Sequence, residues 1–259
     1  MAGSVRQIIE VPCTVEALER SEALSQLAPE ALTALGAESI DGDALGVEAA
    51  ARVDAAIEAC LAAYDPRGVY KLFNPAICTL PPEYSEPAIK LVGTMMMFHG
   101  QSVYERLRRA AHCALMAVTI GPDNPAALPA DADELDRALA DACARALVES
   151  AADHVNAAIV AAAMEEGLYT DDRLSPGMGD FPLDTRSQFV FYTQSEKRLG
   201  LKLGKDGVFE PRYSTVGVIG LYDPSHKGRK RACGRCKYRS YCYIRAIGMT
   251  CHGGKGSFK

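Results

Sequence analysis

Four cysteines fall within nineteen residues, as Cys233-x2-Cys236-x5-Cys242-x8-Cys251, with His252 adjacent. Thiolates at such short range, opened by a Cys-x-x-Cys knuckle, point to metal ligation more than to a disulfide framework. Two occupants fit the pattern. A structural zinc ion would fold a segment too small to own a core. An iron–sulfur cluster accepts thiolates at irregular spacings such as these. A second stretch with chemical potential is Arg173-Leu174-Ser175-Pro176-Gly177-Met178-Gly179-Asp180-Phe181-Pro182-Leu183. Its glycines let a ligand approach the backbone, and a guanidinium beside them can fork a carboxylate or phosphate. The spacing matches no phosphate loop, so on residue types alone it reads equally as a connecting loop with two turns.

The cysteine cluster sits in a basic segment. From His226 onward there are ten Lys or Arg and no acid, whereas the first 225 residues carry 18 basic against 33 acidic side chains, a net −15. Tyr238, Tyr241 and Tyr243 interleave with the basic residues. Basic and aromatic residues around a knuckle suit nucleic acid, but the acidic body would repel a phosphate backbone. An acidic protein docking on the basic segment is at least as natural. The other five cysteines (Cys13, Cys60, Cys78, Cys113, Cys143) stand singly among apolar neighbours and read as buried small hydrophobes. His99, His112, His154 and His226 are unpaired in the sequence and read as structural, and Met95-Met96-Met97 reads as core.

These residues need a scaffold, and 259 residues with 48% hydrophobic content supply one of ordinary globular composition. Nothing reaches eighteen consecutive apolar residues, so no membrane span is expected. Glu10 lies where a signal peptide needs an apolar core, so a cytoplasmic address is expected. A strand is expected around Ile8, Ile9 and Val11. Helices are expected from Thr14 as N-cap through Ala17 to Leu27, from Pro29 to Gly36, and from Val47 to Tyr64. Residues Asp65 to Tyr84 read as extended or looped. Val103, Leu107, Ala110, Ala111 and Leu115 form a stripe that predicts a helix over Ser102 to Val118. Asp131 and Glu134 resemble a capping box opening a long Ala-rich helix to about Glu166. Thr185 to Leu199 reads as a short helix. Strands follow at Leu201 to Leu203, Val208 to Glu210 and Ser214 to Tyr222, with a hairpin turn at Gly204 to Gly207. The expectation is an α+β domain over residues 1–225 and a small basic, Cys-rich module over 226–259.

The Arg173 to Leu183 stretch resembles the Arg-x-Ser-Pro-Gly-Tyr-Gly-Asp-x-Pro-Leu signature of the activation domain of cobalamin-dependent methionine synthase, in the version found as separate proteins. Gly200, Leu201, Leu203, Pro211, Ser214 and Gly217 are similar to that family's next block. Ala117, Thr119 and Gly121 resemble its Ala-x-Thr-Leu-Gly, and Glu149 falls where the family places a Glu ahead of the signature. The likeness is collinear from about Ala117 to Gly220, with only Leu35-Gly36 as an earlier counterpart. The separate proteins of the family often end in Cys-x-x-Cys…Cys-x-x-Arg, matched by Cys233, Cys236, Cys242 and Arg245.

The resemblance implies an α+β fold with long helices and a twisted antiparallel sheet. It implies that S-adenosylmethionine lies along the signature loop, held largely by main chain. Arg173 would meet the methionyl carboxylate, and Ser175, Pro176 and Gly177 would line the ligand. Met178 and Asp180 complete the expected binding set. Two positions depart from the pattern. Met178 replaces a Tyr, losing both an aromatic face and a hydroxyl, and the Gln that follows Pro-Leu is either Arg186 or displaced to Gln188. The implied task is rescue of cob(II)alamin on methionine synthase or another corrinoid methyltransferase, by reductive methylation with an electron from a flavodoxin or ferredoxin-like donor. Such a module positions cofactors and needs no nucleophile or base of its own, so no catalytic side chain is expected. The need for an electron tilts the tail toward iron–sulfur over zinc. Two other functions remain open: a binding or sensor protein for S-adenosylmethionine without methyl transfer, and a Cys-knuckle nucleic-acid module.

Overall fold

The computed structural model describes residues 7–37, 39–78 and 88–224. Its centre is a five-stranded antiparallel sheet built from β1 (Ile8–Pro12), β2 (Arg67–Phe73), β6 (His112–Thr119), β7 (Tyr169–Thr170) and β10 (Ser214–Tyr222), in the order β1-β2-β6-β10-β7. A second sheet pairs β3 (Pro75–Cys78), β4 (Ala88–Leu91) and β5 (Met97–His99), and a two-stranded ribbon pairs β8 (Lys202–Leu203) with β9 (Phe209–Glu210). The helices are α1 (Arg20–Leu24), α2 (Pro29–Leu35), α3 (Val47–Ala63), α4 (Gln101–Leu107), α5 (Glu134–Glu165), α6 (Arg186–Thr193) and α7 (Ser195–Leu199). All named pairings are antiparallel, which is the α+β class expected from the sequence.

The two faces of the central sheet own separate cores. Ala114, Met116 and Val118 of β6, with Ile219 and Leu221 of β10, meet α1, α2, α3 and α5. Cys113, Leu115 and Ala117 of β6, with Val216 and Val218 of β10, meet Val103 of α4, Phe189 of α6, Leu199 of α7 and Phe98 of the second sheet. The alternation is what a strand's two-residue period requires when both faces are covered. Helix α5 runs 32 residues without a break. Its buried face includes Ala142, Ala144, Ala146, Ala151 and Ala152, and such small side chains let it lie close on the sheet and on α3 together.

Four sequence expectations are corrected. The helix expected over Ser102 to Val118 stops at Leu107, and His112–Thr119 is the central strand β6, with Cys113 to Val118 wholly buried. An apolar run covered on both faces carries no strand alternation, so its spacing fits a helical stripe equally well. The helix expected from Thr14 begins at Arg20 instead, because Glu22 reaches back to accept the N–H of Glu19. The N-cap of α5 is Asp133, not Asp131. Asp133 accepts the N–H of Asp136 at 2.8 Å, and the Asp136 carboxylate accepts that of Asp133 at 3.0 Å. The short helix expected over Thr185 to Leu199 is two pieces, divided where Gln194 adopts φ 54°.

Strands β1, β8, β9 and β10 and helices α2 and α3 match the reading of the sequence, whereas β4, β5 and β7 were not anticipated by it. Gly36, at φ 73°, closes α2, and Val53, Ile57 and Cys60 are the buried face of α3. Cys13, Cys60, Cys113 and Cys143 are buried as expected, whereas Cys78, on β3, is only half-buried. Burial pushes the Cys13 thiol up to about 11 and the Cys60 and Cys143 thiols up to about 12, so they stay protonated and unreactive at neutral pH. No helix among the described residues is long and apolar enough to cross a membrane. The expected boundary at 225/226, and with it Cys233, Cys236, Cys242 and Cys251, lies outside the described residues.

Candidate functional site

The loop after β7 reaches the free side of β10. Leu174 and Val218 exchange both backbone hydrogen bonds, each 2.9 Å, in an isolated antiparallel bridge. In an antiparallel ladder such exchanged pairs alternate, so the N–H and C=O of Val216 also turn to this side of the strand, away from β6. Continuing the bridge by two residues would set Pro176 opposite Val216. Proline has no N–H to give, and the next residue, Gly177, takes φ 95° and turns the chain away. A stretch of strand edge is thereby left beside the loop, with main-chain polar groups directed at it.

Side chains from three elements meet on the α5 face of this edge. Arg173, at the loop's start, pairs through Nη2 with the Glu149 carboxylate of α5. Its side chain keeps only 15% of its surface, while that of Glu149 keeps 50%. The other guanidinium nitrogen, Nη1, is buried and finds no hydrogen-bond partner among the described residues. An unpaired buried donor on a charged group costs more than a neutral one, so this nitrogen is primed for an anion. Beneath the arginine stem lies Gly217 of β10, where a Cβ would sit 2.6 Å from Cγ and 2.9 Å from Cδ of Arg173. Ser175 Oγ stands 3.2 Å from the same point.

The rest of the loop is braced by its own turn. Met178 donates its N–H to the Ser175 carbonyl at 3.0 Å, and the Gly177 N–H reaches the Phe181 carbonyl at 2.8 Å. Among the described residues the Ser175 N–H has only the thioether of Met178 as acceptor, at 3.3 Å. Sulfur is a weak acceptor, so that N–H is the one most easily given to a ligand. Phe181 anchors the far end in the core against Phe98 and Phe189. Asp180 faces α4, where its carboxylate accepts the Gln101 N–H and, at 3.0 Å, the Ser102 N–H. Hydrogen bonds from Ser102 and Gln101 hold this carboxyl below the usual carboxylate range.

Among the expected binding residues, Arg173, Ser175, Pro176, Gly177 and Met178 therefore share one loop at the β10 edge, while the Asp180 carboxylate caps a neighbouring helix. Glu149 and Gly217 belong to the site by geometry, although the sequence offered them only as motif positions. For Gly217 a signal existed: a glycine among Val216, Val218 and Ile219 weakens a strand unless something must approach it closely. Of the two candidates for the displaced Gln, Arg186 donates to the Leu183 carbonyl and lies over the Phe209 ring, and Gln188 buries an Oε1 that has no partner among the described residues. His112 meets Asn74 at 2.7 Å, Met96 is buried and Met95 is exposed.

A wide depression of about 480 Å³ lies elsewhere, lined by residues that include Asp123, Lys202, Glu210 and Arg212. Four of its charged side chains pair as Lys202–Glu210 and Arg212–Asp123, and the Asp206 carboxylate accepts the Val208 N–H. Among the described residues no group of three or more His, Cys, Asp or Glu is placed to hold a metal ion.

Comparison with known proteins agrees with this picture at the level of fold. No family model matches the chain, and no curated protein matches it in sequence. Among solved structures it is similar to the crystal structure of the MetH reactivation domain bound to AdoHcy, with a TM-score of 0.57 over 94% of this chain and 86% of that one. The two share 19% sequence identity, so what they show in common is the fold.

Proposed function

We propose that this protein binds S-adenosylmethionine along the Arg173 to Leu183 loop and presents its methyl group to a corrinoid held by a partner protein. The carrying observation is Arg173, one nitrogen bound by Glu149 and another buried without a partner among the described residues. A ligand ending in an amino acid matches both groups. Its carboxylate would take Nη1, and its ammonium would be drawn to the exposed Glu149 carboxylate. The main chain of Ser175, Pro176 and Gly177 would line the remainder, and Met178 and Asp180 would bound the loop. The shared fold with a reactivation domain solved with AdoHcy supports the same ligand class.

In this reading the partner's cob(II)alamin, one electron and the sulfonium methyl give methylcobalamin and S-adenosylhomocysteine. The protein holds and aims the donor, and no side chain of its own takes part in bond making. The partner is methionine synthase or a related corrinoid methyltransferase, and a flavodoxin or ferredoxin-like protein supplies the electron. We place one zinc ion or one iron–sulfur cluster on Cys233, Cys236, Cys242 and Cys251, in a module over 226–259.

The test is calorimetry. S-adenosylmethionine should bind with a dissociation constant of about 1 μM, roughly −8 kcal/mol. Methylthioadenosine, which lacks the amino-acid end, should bind far more weakly. Equal binding of the two would remove Arg173 from the account, and no binding of either would remove the ligand. A second reading, a sensor that holds the ligand without passing on the methyl, is favoured by one feature. The Met178 thioether occupies the Ser175 N–H where the family pattern has a Tyr.

A further inference from the structure

Two glycines of β10 do opposite things. At Gly220 the missing side chain makes room for the ring of Tyr222, whose hydroxyl donates to the Arg106 carbonyl, and the result is packing. At Gly217 the missing side chain makes room for a charged stem, and the result is a guanidinium delivered to the edge of the sheet. The stem cannot step aside if a methyl group is added there. Its backbone end is fixed because Leu174, the next residue, exchanges two 2.9 Å bonds with Val218, and its far end is fixed by Glu149. Cγ and Cδ, the atoms a Cβ would meet at 2.6 and 2.9 Å, lie between these two anchors.

We infer that Gly217 is the positioning residue of the site: the bare strand at 217 forms the floor on which Arg173 lies, and this fixes where Nη1, unpartnered among the described residues, points. The inference rests on the ligand reading given above, but its geometric half does not depend on any ligand. A side chain at 217 must lift the arginine off the strand and break either the Glu149 pair or the aim of Nη1. Gly217 then sets affinity for the carboxylate end of the ligand while touching neither the methyl group nor the corrinoid.

The experiment is a double-mutant cycle with S-adenosylmethionine as the probe. Gly217→Ala should weaken binding at least about tenfold, the loss expected when one charge-assisted contact is misaimed. In an Arg173→Ala background the same change should alter binding less than about twofold, because the residue through which Gly217 acts is gone. A loss from Gly217→Ala that persists undiminished without Arg173 overturns the inference. If Gly217→Ala alone does not fold, Gly217→Ala/Arg173→Ala should, since truncating the arginine removes the clash. Failure of that double variant to fold, where Arg173→Ala folds, likewise overturns it.

A second readout needs no ligand. The Arg173 Nε–H resonance should be shifted from the free-arginine position in the parent protein, and Gly217→Ala should return it there. If the parent binds no S-adenosylmethionine yet the resonance behaves this way, the ligand reading fails and the positioning role stands. An unchanged resonance in Gly217→Ala overturns the positioning role by itself.

Discussion

Arg173 is asked to do two things with one planar group: satisfy Glu149 and leave a nitrogen for a ligand. A guanidinium can, because its donors form a fixed fork, whereas an ammonium is a single point charge on a flexible stem. Arg173→Lys should therefore cost nearly as much affinity for S-adenosylmethionine as Arg173→Ala, about ten- to hundredfold. Calorimetry showing full affinity in Arg173→Lys would mean that charge alone, and not the fork, is recognised. At the residue scale the sequence displays the loop itself but not its distant contacts. Arg173, Ser175, Pro176, Gly177 and Met178 stand out as a Pro- and Gly-punctuated run, and they do share one turn-braced loop. What the sequence could not convey is contact between distant positions. That Glu149 meets Arg173 depends on how a 32-residue helix lies over the sheet, and that Gly217 lies beneath it depends on strand register. Asp180 shows the converse, since proximity in sequence suggested a ligand contact and its carboxylate instead caps α4.

The elements hold Glu149 in place chiefly through α5, and α5 is clamped at its start. Arg52 of α3 pairs with both capping carboxylates, Asp133 at 2.5 Å and Asp136 at 2.8 Å. Its guanidinium holds both carboxyls below the usual carboxylate range. Because their folded pKa values are depressed, the stability they contribute is complete above the unfolded value of about 3.9 and is lost as pH falls through and below it. Arg52→Ala should lower the melting temperature at pH 7 by about 2–4 °C, and the gap to the parent should narrow as pH falls below about 3.9. A gap that stays constant with pH would mean that Arg52 acts by packing alone. Helix α5 and strand β10 were legible because one is long and Ala-rich and the other is β-branched and bounded by turns. Strand β6 was not, since burial on both faces erases the alternation that marks a strand. The start of α5 lies two residues later than Asp131 because Asp131 and Asp133 both fit a cap, and the mutual Asp133–Asp136 bonds together with Arg52 favour the second.

At the scale of the molecule, the sheet separates two cores and the candidate site lies along β10 beside the loop. An acidic body of net −15 is joined to a segment with ten basic residues and four clustered cysteines. If these cysteines hold a metal, anaerobically purified protein should contain about one zinc ion or one iron–sulfur cluster per chain, and Cys236→Ser should release it while leaving S-adenosylmethionine binding intact. Protein that carries neither zinc nor iron would contradict that placement. The segment's charge should also guide an acidic electron donor or corrinoid partner, so activity in the mixture should fall as salt rises. The most direct test follows the visible spectrum of methionine synthase lacking its own activation domain, charged with cob(II)alamin and mixed with this protein, S-adenosylmethionine and a low-potential reductant. Conversion to methylcobalamin is expected in the complete mixture, and much slower conversion at micromolar S-adenosylmethionine when Arg173→Ala replaces the parent. A spectrum that stays at cob(II)alamin with this and related corrinoid proteins, while calorimetry shows the ligand bound, would contradict it.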